Sequence, residues 1–364
     1  MSRTHDREAL IHGLRLQMDA VGVSPHELID GAVSAMPTVA EAVANIKVKG
    51  VYTAKTRKTY GTGWDLAVEL HGDEALDRLT FEDIEMIART ARQRAAERWQ
   101  RRNEPRREAG RRVYDHHGDG AYESCLRALR ALYRREYEKA GRAVEQAPAY
   151  RVKIPTRKAS SRRGLNREEL RRAFDVAISG GDDPLLDGLI IRAGYELGAR
   201  QEGLINLRLM DLNHEQQTVT LDEKNDKKRD LPISAQLLDE LTAFARERGA
   251  EKDEDAVFRY RPKAGKPGRP LTSRRFDSLC TRLRDSDPQL EQLHFVYHLL
   301  RHTVARRLSR VAGDVVARDF LGHAGSSRSV TEGYTRTLQG EVAAAWAQVM
   351  GVDHPLANAY DPGW

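Results

Sequence analysis

Cysteine is almost missing from this chain: only Cys125 and Cys280 occur in 364 residues. Two thiols exclude a disulfide scaffold, and both fall at apolar positions of helical patterns, where a thiol serves as small core filler. Long apolar runs are missing too. No stretch approaches the roughly 18 residues that a membrane-crossing helix needs. The opening MSRTHDREAL has no apolar signal core. These absences predict a soluble protein in a reducing, cytoplasmic setting. Aromatics are sparse at 6%, whereas charged residues make up 31% and apolar ones 40%, a balance that suits a soluble, mostly helical chain.

What is present is positive charge, unevenly spread. The formal net charge is +6, but residues 89–112 alone hold ten arginines against three glutamates. Such local density suits a polyanion partner or, equally, a solvated and salt-bridged helix face. The length exceeds one ordinary core, so two domains of about 100–200 residues are expected.

The patterning predicts a mostly α (α+β) protein with a small antiparallel sheet. Residues 1–36 read as a helical extension ending at Pro37. Residues 37–146 carry several helices. Thr80 is placed to cap one of them, and Tyr122, Cys125, Leu126, Leu129, Leu132 and Tyr133 form the apolar stripe of another. Residues 147–164, APAYRVKIPTRKASSRRG, have prolines, serines and cations without periodicity and read as a basic linker. A second domain follows over 165–345. Asn166 and Glu169 there form a capping-box pair. TVTLDEKNDKKRDLPIS reads as two short strands around a polar turn. The stretch from His298 to Tyr334 reads as two helices with breaks at Gly313 and Gly322. Residues 346–364 are left as a tail. The amphipathic helix around Val342, Trp346 and Val349 packs either on its own core or on a neighbouring subunit.

Several residues could carry chemistry. His298, Arg301 and His302 share one helix face by their i, i+3, i+4 spacing. Two histidines at i and i+4 also resemble a zinc pair, but no acidic partner lies between them and an arginine beside a cation opposes it. No metal or cofactor is therefore expected. Arginine beside histidine suits phosphate handling; the plain alternative is a buried histidine and a surface arginine. Arg200 stands where an apolar helix ends, in GAR, either reaching into a cleft or capping the helix. Lys224 lies in the hairpin turn, His323 in LGH, and Tyr334 outside any apolar stripe.

Four segments in order resemble the tyrosine recombinase family, the phage-integrase type of DNA-cleaving and rejoining enzyme. ELGARQEGLINLRLMDLN is similar to its first arginine box, TVTLDEKNDKKRDLPI to its lysine hairpin, HLLRHTVARRL to its H-x-x-R-H box, and FLGHAGSSRSVTEGYTR to its L-G-H…Y box. The resemblance covers about residues 165–345, and the helices at 37–145 resemble the family's core-binding domain by pattern only. It implies Arg200 and Arg301 as phosphate clamps, Lys224 as the acid for the leaving oxygen, His298 and His323 as histidine partners, and Tyr334 as nucleophile. It further implies a 3′-phosphotyrosyl intermediate without ATP or metal and double-stranded DNA as partner. A homotetramer on DNA assembled from a free monomer, a nucleoid-associated location and a mobile-element origin also follow from it.

The chain departs from the family at one point that bears on Arg200. Three residues on, where the family has an acid, stands Gly203, with Glu202 one step early, so the support of Arg200 is expected to be built differently. The gap from His323 to Tyr334 is also slightly long, and Lys227 and Lys228 compete with Lys224 for the lysine role. Candidate DNA-phosphate contacts are Lys55, Arg57, Lys58, Arg127, Arg130, Arg134, Lys158, Arg162, Arg274 and Arg275. The rival readings are a resolvase- or transposon-type recombinase, a catalytically silent DNA-binding regulator, a relaxing topoisomerase, and a metal-dependent nuclease using His298 and His302.

Overall fold

The computed structural model describes residues 12–13, 17–18, 20, 36–48, 50–110, 113, 117–155, 163–223, 227–322 and 339–358. The chain divides into two compact units, residues 1–159 and 160–364.

The first unit is built from α1 (Val39–Lys47), α2 (Ala54–His71), α3 (Phe81–Glu108), α4 (Asp119–Lys139) and the one-turn α5 (Pro148–Arg151). Its helices begin where local chemistry dictates. Thr38 and Glu41 close a capping box on α1, and Thr80 and Asp83 close one on α3, satisfying backbone N–H groups that have no partner inside the helix. The α4 stripe Cys125, Leu126, Leu129, Leu132 and Tyr133 is buried, and Tyr122 lies half-buried beside it. Trp64 is fully buried, and its indole N–H donates to the Ala128 carbonyl at 2.8 Å. Gly63 lets α2 approach α4: a Cβ there would stand 3.2 Å from Ala128 Cβ and Cys125 Cα.

Residues 147–152, assigned from sequence to the linker, pack on this unit. Ala147, Ala149 and Val152 belong to its core, and Arg130 donates to the Ala149 and Val152 carbonyls at 3.1 and 2.9 Å. Burial pushes the Cys125 thiol up to about 12 and the Cys280 thiol of the second unit up to about 11. Both thiols therefore stay protonated and inert at neutral pH.

The second unit comprises α6 (Arg167–Ser179), α7 (Pro184–Glu196), α8 (Gln201–Asn206), β1 (Leu212–Asn213), β2 (Thr218–Glu223), β3 (Lys227–Pro232), α9 (Ala235–Glu247), α10 (Ser273–Ser286), α11 (Pro288–Gln292), α12 (His298–Phe320), α13 (Gln339–Met350) and α14 (Pro355–Asn358). The sheet is antiparallel in the order β1-β2-β3. Asn166 and Glu169 close the expected capping box, with reciprocal bonds of 2.8 Å. Within α12, Gly313 is non-helical at φ 83°, so the segment is two helices across a kink, as the pattern predicts.

On β2 the period of two puts Val219, Leu221 and Glu223 on the buried face. α13 packs on its own unit: Trp346 is fully buried and its indole donates to the Glu196 carbonyl at 2.8 Å, while His354 lies edge-on to its ring at 5.5 Å. The core of this unit thus continues into the segment read from sequence as a tail.

Candidate active site

α7 ends at Leu197 and Gly198, where φ turns to +53°. Only glycine fits there. The left-handed backbone favours it, and a Cβ would stand 3.0 Å from both Phe320 Cε1 and Val304 Cγ1. This turn delivers Arg200 as the N-cap of α8. Its side chain is about one-third exposed, at 35%, so its guanidinium reaches the surface from a buried root.

Arg301 comes from the first turn of α12 and is almost fully buried, with 2% of its side chain exposed. Its fork donates to the Gly198 and Leu321 carbonyls, which ties α12 to the same turn that carries Arg200. The two arginines therefore reach the same part of the fold.

Between them stands Glu223, the last residue of β2. Its carboxylate accepts the Arg200 backbone N–H at 2.8 Å and pairs with the Arg200 guanidinium. Arg301 Nη1 lies 3.8 Å from Glu223 Oε2, and Arg229 Nη2 of β3 lies 3.0 Å from Oε1. Three guanidiniums thus surround one carboxylate, a local excess of two positive charges. Burial pushes the Glu223 carboxyl up, but Arg229, the Arg200 N–H, Arg301 and Arg200 outweigh it and hold it below the ordinary glutamate value. Burial, together with repulsion from Arg229 and Arg200, pushes Arg301 down to about 9, with Glu223 pulling against both. Burial likewise lowers Arg229. Positive charge this poorly solvated is stabilised by an arriving anion.

His298 opens α12 and is exposed, and His302 is half-buried one turn on. Their rings meet edge to face at 4.7 Å. Among the described residues no group of three or more His, Cys, Asp or Glu is arranged to hold a metal ion, and no helix is long and apolar enough to cross a membrane. Lys224, His323 and Tyr334 lie outside the described residues, as do Lys158 and Arg162.

Residues 163–341 match the Phage integrase family. The chain belongs to this family of tyrosine recombinases. Members of the family are site-specific DNA recombinases, and the chain falls in that enzyme class. It is 28% identical over 244 residues to tyrosine recombinase XerC of Azotobacter vinelandii, a span of 66% of this chain and 76% of the relative. A second XerC, from Chromobacterium violaceum, is 31% identical over 151 residues, 41% of this chain and 47% of that one. The fold resembles a lambda integrase dimer bound to a COC′ core site, with TM-score 0.55 and 15% identity over 91% of this chain and 87% of that one. It also resembles the Tn1549 transposon integrase in complex with transposon right-end DNA, with TM-score 0.56 and 15% identity over 87% of this chain and all of that one.

Glu223 and Arg229 of this recombinase went unremarked in the sequence, where the hairpin drew notice for its lysines. The signal was present, since a carboxylate in phase with Val219 and Leu221 must face inward and needs cations beside it. The candidate phosphate contacts divide. Lys55, Lys58, Arg127, Arg134 and Arg274 are exposed and Arg57 is half-buried. Arg127 pairs with Glu123 at 2.7 Å, and Arg134 donates to the Tyr150 hydroxyl at 3.1 Å. Arg130 is committed to the Ala149 and Val152 carbonyls. Arg275 is bound to buried Asp187 through two bonds of 2.8 and 2.7 Å. Arg130 and Arg275 thus each carry contacts internal to their own unit.

Proposed function

We propose that this chain cleaves and rejoins duplex DNA at a specific site through a 3′-phosphotyrosyl bond to Tyr334. The observation that carries this reading is the approach of Arg200 and Arg301 to one carboxylate oxygen, Glu223 Oε2. Two forks brought from distant parts of the chain can likewise meet at one phosphodiester. The diester carries one negative charge and gathers more in the transition state, which the local excess of two positive charges favours.

The Tyr334 oxygen attacks phosphorus, and its proton passes to His298. The phosphorus–O5′ bond breaks, and Lys224 protonates the departing oxygen. His323 donates a hydrogen bond to a phosphate oxygen. A 5′-hydroxyl then attacks the phosphotyrosine and releases the enzyme, so one ester replaces another and no ATP is consumed. The protein acts as a homotetramer on DNA, formed from free monomers, and serves a mobile element. Similarity to the lambda and Tn1549 transposon integrase folds supports that origin; a resolvase- or transposon-type recombinase is the alternative.

The test lets the protein select its own target. The full chain is incubated with nicked duplexes of randomised sequence in EDTA, denatured, and the protein-bound DNA recovered. Wild type yields an adduct that enriches one sequence, and Tyr334→Phe yields none. Adduct from Tyr334→Phe, or activity abolished by EDTA, overturns the reading. Joining of strands between two duplexes separates a recombinase from an enzyme that only relaxes one.

A further inference from the structure

α8 presents an incomplete capping box. Arg200 is its N-cap, so the third helical position is Gly203, where a Glu or Asp side chain would normally reach back to the N-cap N–H. Glycine has no side chain to do so. The Arg200 N–H is nevertheless satisfied, by Glu223 Oε1 at 2.8 Å, delivered from β2. The same carboxylate pairs with the Arg200 guanidinium, so one side chain holds both the root and the tip of this arginine. The two positions also compete for space. A Cβ at residue 203 would lie 3.2 Å from Glu223 Cγ and 3.2 Å from its Oε1, closer than most real contacts. An acidic side chain on α8 and Glu223 on β2 cannot both occupy that volume undisturbed.

The geometry points to Glu223 as the positioning residue for Arg200, with Gly203 as the gap that admits it, so the two positions function as a coupled pair. Glu223 acts through Arg200 and does not touch the reacting atoms. Its carboxylate leaves the cluster cationic, because Arg200, Arg229 and Arg301 together outnumber it. What Arg200 acts on rests on the recombinase reading above; the coupling of the two positions rests on the geometry alone.

The test is a cycle in the full chain: wild type, Glu223→Gln, Glu223→Gly, Gly203→Glu and the double variant Gly203→Glu/Glu223→Gly. Single-turnover adduct formation is measured on the sequence recovered by wild type, duplex affinity by titration, and folding by Tm. Glu223→Gln keeps the volume and an oxygen for the Arg200 N–H but loses the charge. Misplacing a clamp costs about a hundredfold in rate, so Glu223→Gly slows the adduct by about that factor, and Glu223→Gln slows it less. Duplex affinity changes by less than about threefold, since one clamp is a small part of many phosphate contacts.

Returning the carboxylate from residue 203 recovers at least about tenfold in rate in the double variant, the size expected for coupled neighbours, and raises its Tm above that of Glu223→Gly. Gly203→Glu alone lowers both rate and Tm. Wild-type rates in Glu223→Gln and Glu223→Gly overturn the inference and leave the recombinase reading standing. A double variant no better than Glu223→Gly in rate and Tm also overturns it. Failure of wild type itself to form a Tyr334-dependent adduct overturns the recombinase reading instead, and the Tm cycle, which needs no DNA, still decides the coupling.

Discussion

Asp187, on α7, is 1% exposed and lies under two arginines, with Arg275 Nε at 2.8 Å and Nη2 at 2.7 Å and Arg282 Nη2 at 2.8 Å. Burial raises its carboxyl above the ordinary range, with both guanidiniums pulling against that. These bonds tie α10 to α7. Arg275→Ala is expected to destabilise the protein by about 3 kcal/mol, as for a broken buried pair, in urea unfolding. The duplex affinity of the folded protein should stay as it was, and a weakened affinity at full stability would return Arg275 to the DNA face. Glu223 makes a pH prediction. Its carboxyl in the folded state is held below the ordinary 4.5, so its contribution to stability is complete above that pH and is lost as pH falls through the folded value. Wild type should therefore lose stability on acidification below about pH 4.5, and Glu223→Gln should lose less over the same interval. Parallel curves would contradict the assignment.

At the scale of elements, α13 closes the core of its own unit. Trp346 is completely buried in that core and donates to the Glu196 carbonyl at the end of α7. Trp346→Ala should cost about 3–5 kcal/mol, typical of a buried tryptophan lost from a core, and the wild-type Tm should not depend on protein concentration. A Tm that climbs with concentration would mean that α13 is held by a neighbouring copy. Helix starts were legible in the sequence because capping is local: Thr80 with Asp83, and Asn166 with Glu169, stand three residues apart. The kink at Gly313 was legible for the same reason. The place of Ala147, Ala149 and Val152 was not. Three modest apolar residues among prolines and cations show no period, and their place in the core is seen only once they pack on the first unit, with Arg130 of α4 holding the Ala149 and Val152 carbonyls.

For the whole molecule, charge is the property that governs encounter with DNA. Part of the arginine density of α3 is already neutralised, for Arg94 holds Glu69 through bonds of 2.7 and 2.6 Å and Arg89 pairs with Glu85 at 2.7 Å. Under the recombinase reading, duplex affinity should fall linearly with the logarithm of salt concentration, the slope counting the phosphates neutralised. Replacing an exposed arginine such as Arg274 with alanine should reduce that slope by about one. The same change at Arg275 should leave it as it was. An unaltered slope for Arg274→Ala removes that residue from the DNA face.

Read alone, the sequence determined the helices, the hairpin and the order of the motifs, because each depends on residues a few positions apart; the pairing of Arg200 with Arg301 came only through the resemblance those motifs carry. Tertiary structure alone decided which carboxylate braces Arg200. The alternation of β2 announces that Glu223 faces inward, but its contact joins residues 23 positions apart and follows from the phase of β2 against the left-handed turn after α7, a spatial relation that only the fold supplies.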